Sequence, residues 1–229
     1  EAVGRAIKKS GIPREELFVT TKLWIQDAGY ENAKAGFETS LQKLGLDYLD
    51  LYLIHQPCGD CYGSWRAMTE LYQEGRIRAI GVCNFNSDRL VDFVMNNELP
   101  PAINQVEFHP YFQQKKAEEI MREYDVQMEA WSPLGHGGRG ILENDVLVSI
   151  GKRYGKTPAQ IILRWDIERG IATIPKSVRK ERIEENFDVF DFHLTTEEIT
   201  AIDQLDRNDH IADLTDVELI KKLNRLKVR

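Results

Sequence analysis

Short β-rich runs alternate with stretches of helical periodicity along the whole chain, with no linker or low-complexity segment between them. Strands are predicted at Phe18–Trp24, Leu49–Ile54, Ala79–Cys83, Ile103–Phe108, Val126–Trp131 and Ile171–Ile174. Helices are predicted over 31–44, where Ala33, Phe37, Leu41 and Leu44 share one face, and over 64–74, stopped by Gly75. Others start from Ser87 as an N-cap and run over about 115–124, 145–154 and 158–168, the last with Thr157 as cap and Pro158 in its first turn. Two more begin near Lys180 and at Thr195, where Glu198 completes a capping box.

Strands that alternate with helices must pair in parallel through helical crossovers. A dinucleotide-binding doubly wound sheet would want Gly-x-Gly-x-x-Gly after its first strand, and the sequence has none there. The remaining architecture is α/β, a (β/α)8 barrel of the TIM type, which takes eight strands in about 250 residues. Six strands are read within 229 residues, so residues 1–229 are expected to be a single barrel domain that lacks two strands.

A net charge of −7 argues against nucleic-acid or anionic-membrane partners, whose phosphates the long-range field repels. No apolar run approaches the roughly 18 residues that span a bilayer, and no signal peptide is read. The expected setting is cytoplasmic and reducing, since three cysteines are too few for a disulfide scaffold. Cys58-Gly59-Asp60-Cys61 is formally Cys-x-x-Cys, but no second pair of soft ligands makes it a zinc site, and no metal is expected. A redox dithiol normally opens a helix after a strand, whereas this one reads as lying between a proline and a glycine-serine turn. Two loop thiols are therefore expected.

Barrel chemistry gathers at the C-terminal ends of the strands. Those positions hold Lys22, His55, Asn84, Gln105 with Glu107, Trp131-Ser132 and Lys176-Ser177. Singly, each has an ordinary explanation: a snorkelling lysine, a hydrogen-bonded core histidine, amides that satisfy loop backbone. Their convergence on one rim is the signal. Glu107 and His109 are read as structural, because His109-Pro110 marks a strand-ending turn. Between Lys176 and Arg182 there are four basic residues in seven positions, opening a helix directly after the last strand. Free N–H groups, the helix dipole and barrel precedent all favour a phosphate there. With Trp131 as a stacking face, the ligand is expected to be phosphorylated and ring-bearing.

These segments resemble the aldo-keto reductases, NADP-dependent barrel oxidoreductases. The matching stretches are Thr20-Thr-Lys-Leu-Trp24, Leu53-Ile-His-Gln-Pro57, Gly81-Val-Cys-Asn-Phe85, Asn104-Gln-Val-Glu107, Ala130-Trp-Ser-Pro-Leu-Gly135, Ile174-Pro-Lys-Ser-Val178 and Arg182-Ile-Glu-Glu-Asn186. The resemblance implies NADPH-dependent reduction of an aldehyde or ketone to an alcohol. It implies that Lys22 lowers the pKa of a catalytic tyrosine and that His55 hydrogen-bonds the substrate carbonyl. Asn84 and Gln105 would hold the nicotinamide carboxamide, Trp131 would stack on its ring, and Ser132 and Leu134 would line the pyrophosphate. Lys176, Ser177 and Arg182 would clamp the 2′-phosphate, with Glu185 and Asn186 near the adenine. Two cations at that phosphate favour NADP over NAD. Cys83 stands where the family usually has serine.

The family's tyrosine and aspartate precede a helix like Glu1–Lys9, so the resemblance places both upstream of Glu1; Tyr30, Tyr52 and Tyr111 do not sit in the matching motif. Three explanations stay open: a fragment of a complete reductase, a catalytically silent NADP-binding or redox-sensing module, or a barrel completed by a second chain. A C-terminal tail over 205–229 is expected to fold over the site. The partners implied are a small carbonyl substrate and, at most, a second copy in a loose dimer.

Overall fold

The computed structural model describes residues 1–228; Arg229, the last residue of the expected tail, lies outside the described residues. The chain forms two compact units, one of Glu1–Asn104 with Tyr124–Val126 and the segment from Leu214, the other of Gln105–Glu123 with Gln127–Asp213.

The first unit is built on three parallel strands, β1 (Thr20–Leu23), β2 (Leu49–Ile54) and β3 (Ile77–Cys83). Lys22 pairs with Leu53 in one ladder and Leu53 with Gly81 in the next. Every residue of β2 is buried, as a parallel strand covered on both faces requires. One face places Leu51 and Leu53 against Cys83, Ala79 and Ile103. From the opposite face Tyr52 reaches Phe37 on α2 (Tyr30–Leu44), with ring centres 5.6 Å apart. Gly81 is required by close approach: a Cβ there would lie 2.6 Å from the Ile103 carbonyl oxygen. Helix α1 (Ala2–Ser10) precedes this sheet; α3 (Cys61–Gln73) and α4 (Ser87–Met95) follow β2 and β3. The buried Asp50 accepts from the Val19 N–H at 2.8 Å and from the guanidinium groups of Arg14 and Arg78 at 2.8 and 3.0 Å.

The second unit carries most of β4 (Ile103–Glu107), then α5 (Lys115–Glu123), β5 (Gln127–Trp131), α6 (Asp145–Tyr154), α7 (Pro158–Glu168), β6 (Ala172–Thr173), α8 (Lys180–Phe187) and α9 (Thr196–Asp203). Strands β5 and β6 pair in parallel, Glu129 with Ala172 and Ala130 with Thr173. The expected capping box of Thr195 with Glu198 forms, and Thr157, expected as a cap, completes a second box with Gln160. The core of this unit centres on Trp165, whose ring stacks on Phe108 with centres 5.1 Å apart.

All six expected strands are present, and the fold class is α/β of the barrel type. Several boundaries differ for local reasons. β1 is shorter than Phe18–Trp24, and Phe18 is 69% exposed. Helix α3 begins at Cys61 rather than Ser64, because Asp60 caps it by accepting from the Gly63 N–H at 2.7 Å. Ser87 is the first helical residue of α4 rather than its cap, a position that Asn86 takes with no side-chain bond. β6 pairs over two residues only; Ile174 precedes Pro175, which has no N–H to give a ladder. A further helix, α10 (Val217–Arg225), opens on Asp216 within the expected tail. Among the described residues no helix is long and apolar enough to cross a membrane, and no group of three metal-ligating side chains forms.

Candidate active site

Three adjacent parallel strands of the first unit end on expected site residues. Lys22 lies in β1, His55 directly follows β2, and Asn84 directly follows β3. The His55 N–H donates to the Leu23 carbonyl at 3.0 Å, which fixes the histidine at the end of the β1–β2 ladder. The Asn84 side-chain amide donates to the His55 carbonyl and to Gln56 Oε1, both at 3.4 Å. Asn84 has φ 61°, a left-handed conformation that asparagine tolerates better than most residues. The edge of Trp24 meets the His55 ring at a centre distance of 5.0 Å.

Burial and the charge of Lys22 together push the His55 imidazole down to about 4. It is therefore neutral at physiological pH and presents one N–H donor and one acceptor nitrogen. Folding holds this value below the ordinary histidine value of about 6.5, so the folded state is penalised as pH falls through that value towards 4. A titration of the His55 ring by NMR is expected to give a midpoint near 4; a midpoint of 6 or above would contradict this environment.

The tail adds a strap to the same unit. Trp24 Nε1 donates to the Leu226 carbonyl at 2.8 Å, and the Val228 N–H donates to Gln26 Oε1 at 2.9 Å. Part of the expected tail thus lies against the loop that follows Lys22.

In the second unit Gln105 lies in β4 and donates to Glu129 of β5, both buried. Trp131 closes β5, and its carbonyl accepts from the Phe108 N–H at 3.3 Å. Ser132 follows with φ 53°, and its carbonyl accepts from the Gly135 N–H at 2.8 Å, turning the chain through Leu134. Lys176 and Ser177 follow β6, and Arg182, Glu185 and Asn186 lie on α8. Ser177 Oγ accepts from the Arg179 N–H at 3.1 Å. Glu185 accepts from the Thr157 hydroxyl at 2.5 Å. Among the described residues Lys176 and Arg182 make no ion pair, whereas Lys180 pairs with Glu184 at 3.6 Å. Asn186 borders an open hollow of about 640 Å³ with Thr173, Ile183, Phe187 and Phe190, mostly apolar and beside β6.

Glu107 and His109, expected to be structural, are both buried. Glu107 accepts from the backbone N–H groups of Ile211 and Ala212 at 2.5 and 3.2 Å and lies 3.1 Å from His109 Nε2. The sequence reading did not single out Glu129 or Trp24. Glu129 carried a usable signal, an acidic residue in an apolar strand on the same face as Trp131 by two-residue periodicity. Trp24 had none, since its contact with His55 depends on strand pairing.

Parallel strands joined by helices, with polar and aromatic side chains at their C-terminal ends, define an α/β protein of the (β/α)8-barrel type. The profile of the Aldo/keto reductase family matches residues 1–207. The glyoxal reductase of Bacillus subtilis strain 168 is 49% identical over 212 residues, 92% of this chain and 76% of that protein. The solved structure of MGS-M4, an aldo-keto reductase enzyme from a Medee basin deep-sea metagenome library, superposes with a TM-score of 0.90 at 47% identity; the match covers 92% of this chain and 79% of that one. A Bombyx mori aldo-keto reductase solved in complex with NADP gives a TM-score of 0.88 at 37% identity, covering 94% and 78%. The chain belongs to the aldo/keto reductase family.

Proposed function

We propose that this chain reduces small aldehydes or ketones to alcohols with NADPH, acting as a monomer or loose dimer in the cytoplasm. The observation that carries the reading is the neutral His55 imidazole held beside Lys22 and Asn84 at the ends of adjacent strands. The names of the relatives support it, one a glyoxal reductase and another solved with NADP.

The chain's residues fit the cofactor. Among the described residues Lys176 and Arg182 make no ion pair; Lys176 precedes α8 and Arg182 lies in its first turn, in a chain of net charge −7. They and Ser177 would hold the 2′-phosphate. Glu185 and Asn186 would lie by the adenine, Ser132 and Leu134 by the pyrophosphate, Trp131 against the nicotinamide, and Asn84 and Gln105 at its carboxamide. When bound, NADPH supplies the hydride. As negative charge grows on the carbonyl oxygen, the His55 N–H donates to it, and a donor already aimed in a water-poor setting costs no reorganisation. Burial, aided by the Lys22 charge, keeps His55 from protonating, and Lys22 adds positive potential near that oxygen.

A second reading, a catalytically silent NADP-binding or redox-sensing module, has its own support. The reaction also needs a proton donor, and within this chain Tyr30 and Tyr111 are hydrogen-bonded while Tyr52 is buried. Tyr30 donates to Glu70 at 2.6 Å, Tyr111 accepts from Asn144 at 3.2 Å, and burial pushes the Tyr52 phenol up.

Calorimetric titration with NADPH and NADH, followed by turnover of glyoxal, separates the readings. Binding with turnover supports the reductase, binding without turnover supports the silent module, and no binding of NADPH overturns both. Arg182→Ala is expected to weaken NADPH by roughly ten- to a hundredfold, the worth of a charge-assisted hydrogen bond, and to leave NADH unchanged. Equal weakening of both would remove Arg182 from the 2′-phosphate.

A further inference from the structure

Only the second cysteine of the Cys-x-x-Cys segment departs from the expected loop. Cys58 lies in the loop after β2, three residues past His55, and Cys61 opens α3. That is the strand-to-helix setting in which dithiols react, because the helix N-terminus stabilises a thiolate. The turn between the two cysteines is tight: the Cys58 N–H donates to the Gln56 carbonyl at 2.8 Å, the Cys61 N–H to the Gly59 carbonyl at 3.0 Å, and Gly59 has φ 73°. Cys61 Sγ lies 3.4 Å from the Cys58 carbonyl oxygen, an atom only three bonds from the Cys58 Cβ. The Cys61 sulfur therefore lies beside the Cys58 residue itself. Cys58 is half-buried and the more exposed of the two, whereas Cys61 is 1% exposed. The third cysteine, Cys83, is buried at the end of β3, within the cluster of Leu51 and Leu53.

We propose that Cys58 and Cys61 are a dithiol–disulfide pair, with Cys58 the attacking sulfur and Cys61 the resolving one, oxidised by small disulfides of the glutathione type. The Cys58 thiol loses its proton, and its thiolate attacks one sulfur of oxidised glutathione. A Cys58–glutathione bond forms, the glutathione disulfide bond breaks, and one glutathione thiolate leaves and takes up a proton. Cys61 then loses its proton and attacks Cys58 Sγ. The Cys58–Cys61 bond forms, and the second glutathione leaves as a thiolate and is protonated. Two protein thiols are oxidised and one external disulfide is reduced.

Arg89 faces the pair and favours both thiolates, hydrogen-bonding Cys61, but burial outweighs it and pushes both thiols up. The exchange is therefore slow at neutral pH and accelerates by about tenfold per pH unit as the thiolate fraction rises. Oxidation also has somewhere to act. Asn224 of α10 hydrogen-bonds Cys58, and the same tail holds Trp24 and Gln26 through Leu226 and Val228. Turning the Cys58 sulfur towards Cys61 removes the Asn224 contact and loosens the strap.

The test is incubation of the folded chain with oxidised glutathione at pH 7, 8 and 9, then alkylation in denaturant and peptide mass spectrometry. Two of the three thiols are expected to be lost together, as a peptide joined between Cys58 and Cys61, with Cys83 fully alkylated. In Cys61→Ser, or Cys61→Ala should the serine variant fold poorly, reaction should stop at glutathione on Cys58. In Cys58→Ser no adduct should form. Hydrogen exchange at residues 217–228 should rise on oxidation and return on reduction by dithiothreitol. Three alkylated thiols in the wild type at pH 9 overturn the proposal, as does a mixed disulfide on Cys58 that Cys61 never resolves. Unchanged exchange of the tail overturns the coupling to the strap.

Discussion

Asp50→Ala is expected to destabilise the chain by about 3 kcal/mol, because it removes one partner from a buried charge cluster. The Asp50 side chain is 1% exposed and binds three groups at once: the Val19 N–H, Arg14 and Arg78. Arg14 is only 19% exposed, and its guanidinium also lies 4.0 Å from the centre of the Tyr48 ring, so it cannot simply turn into water. Arg78 is 53% exposed and can rehydrate, which keeps the cost at the lower end of the range for a broken buried pair. The Val19 N–H is left without its acceptor where β1 begins. Urea unfolding of wild type and variant measures the effect, and a loss under 1 kcal/mol would show that Asp50 is not the anchor that the geometry implies. Asp50→Asn keeps one acceptor for the Val19 N–H and should recover part of the loss.

Trp165→Ala should cost about 3–5 kcal/mol, the range for truncating a fully buried aromatic residue. Trp165 has no exposed surface, stacks on Phe108, donates from Nε1 to Asp203 at 2.9 Å and carries Arg169 at 4.8 Å from its ring centre. Its removal opens a cavity between α7 and Phe108 and leaves the Asp203 carboxylate one donor short. Because Arg169 also pairs with Glu118 and Asp203, the surrounding ion pairs should outlast the packing loss. Thermal melting followed by circular dichroism is the measurement; a midpoint unchanged from wild type would contradict the packing.

Both expected losses rest on residues that the sequence marks only weakly. An aspartate inside Leu49–Ile54 breaks an apolar run without saying which cations meet it. Trp165 falls in a helix whose residues from Ala159 to Asp166 are all buried, so periodicity there gives no single inner face. Two of the chain's caps, Thr157 and Thr195, are by contrast local, and the sequence reads them correctly. Thr157 ahead of Pro158, and Thr195 with Glu198, need only residues within one turn to satisfy the first N–H groups of a helix. The start of α3 escaped because Asp60 was read with a cysteine pair and a glycine turn, while its carboxylate in fact caps a helix that includes Cys61.

The candidate site divides in the same way. That Lys22, His55 and Asn84 stand at strand ends follows from the sequence, since an apolar run of fixed length ends where polarity returns. That the His55 imidazole is neutral does not follow. Its state needs the burial given by neighbouring strands and the Lys22 charge from β1, thirty-three positions away in sequence.

By itself the sequence determined the α/β alternation, the parallel pairing it forces, and the positions at which strands give way to polar residues. These are consequences of hydrophobic period and turn chemistry within a few residues. Only the tertiary structure decided which charges meet Asp50, what state His55 holds, and that Cys58 and Cys61 share one tight turn at the head of a helix. Each of those depends on groups brought together by the fold, whose mutual distances set their energies and cannot be read from their order along the chain.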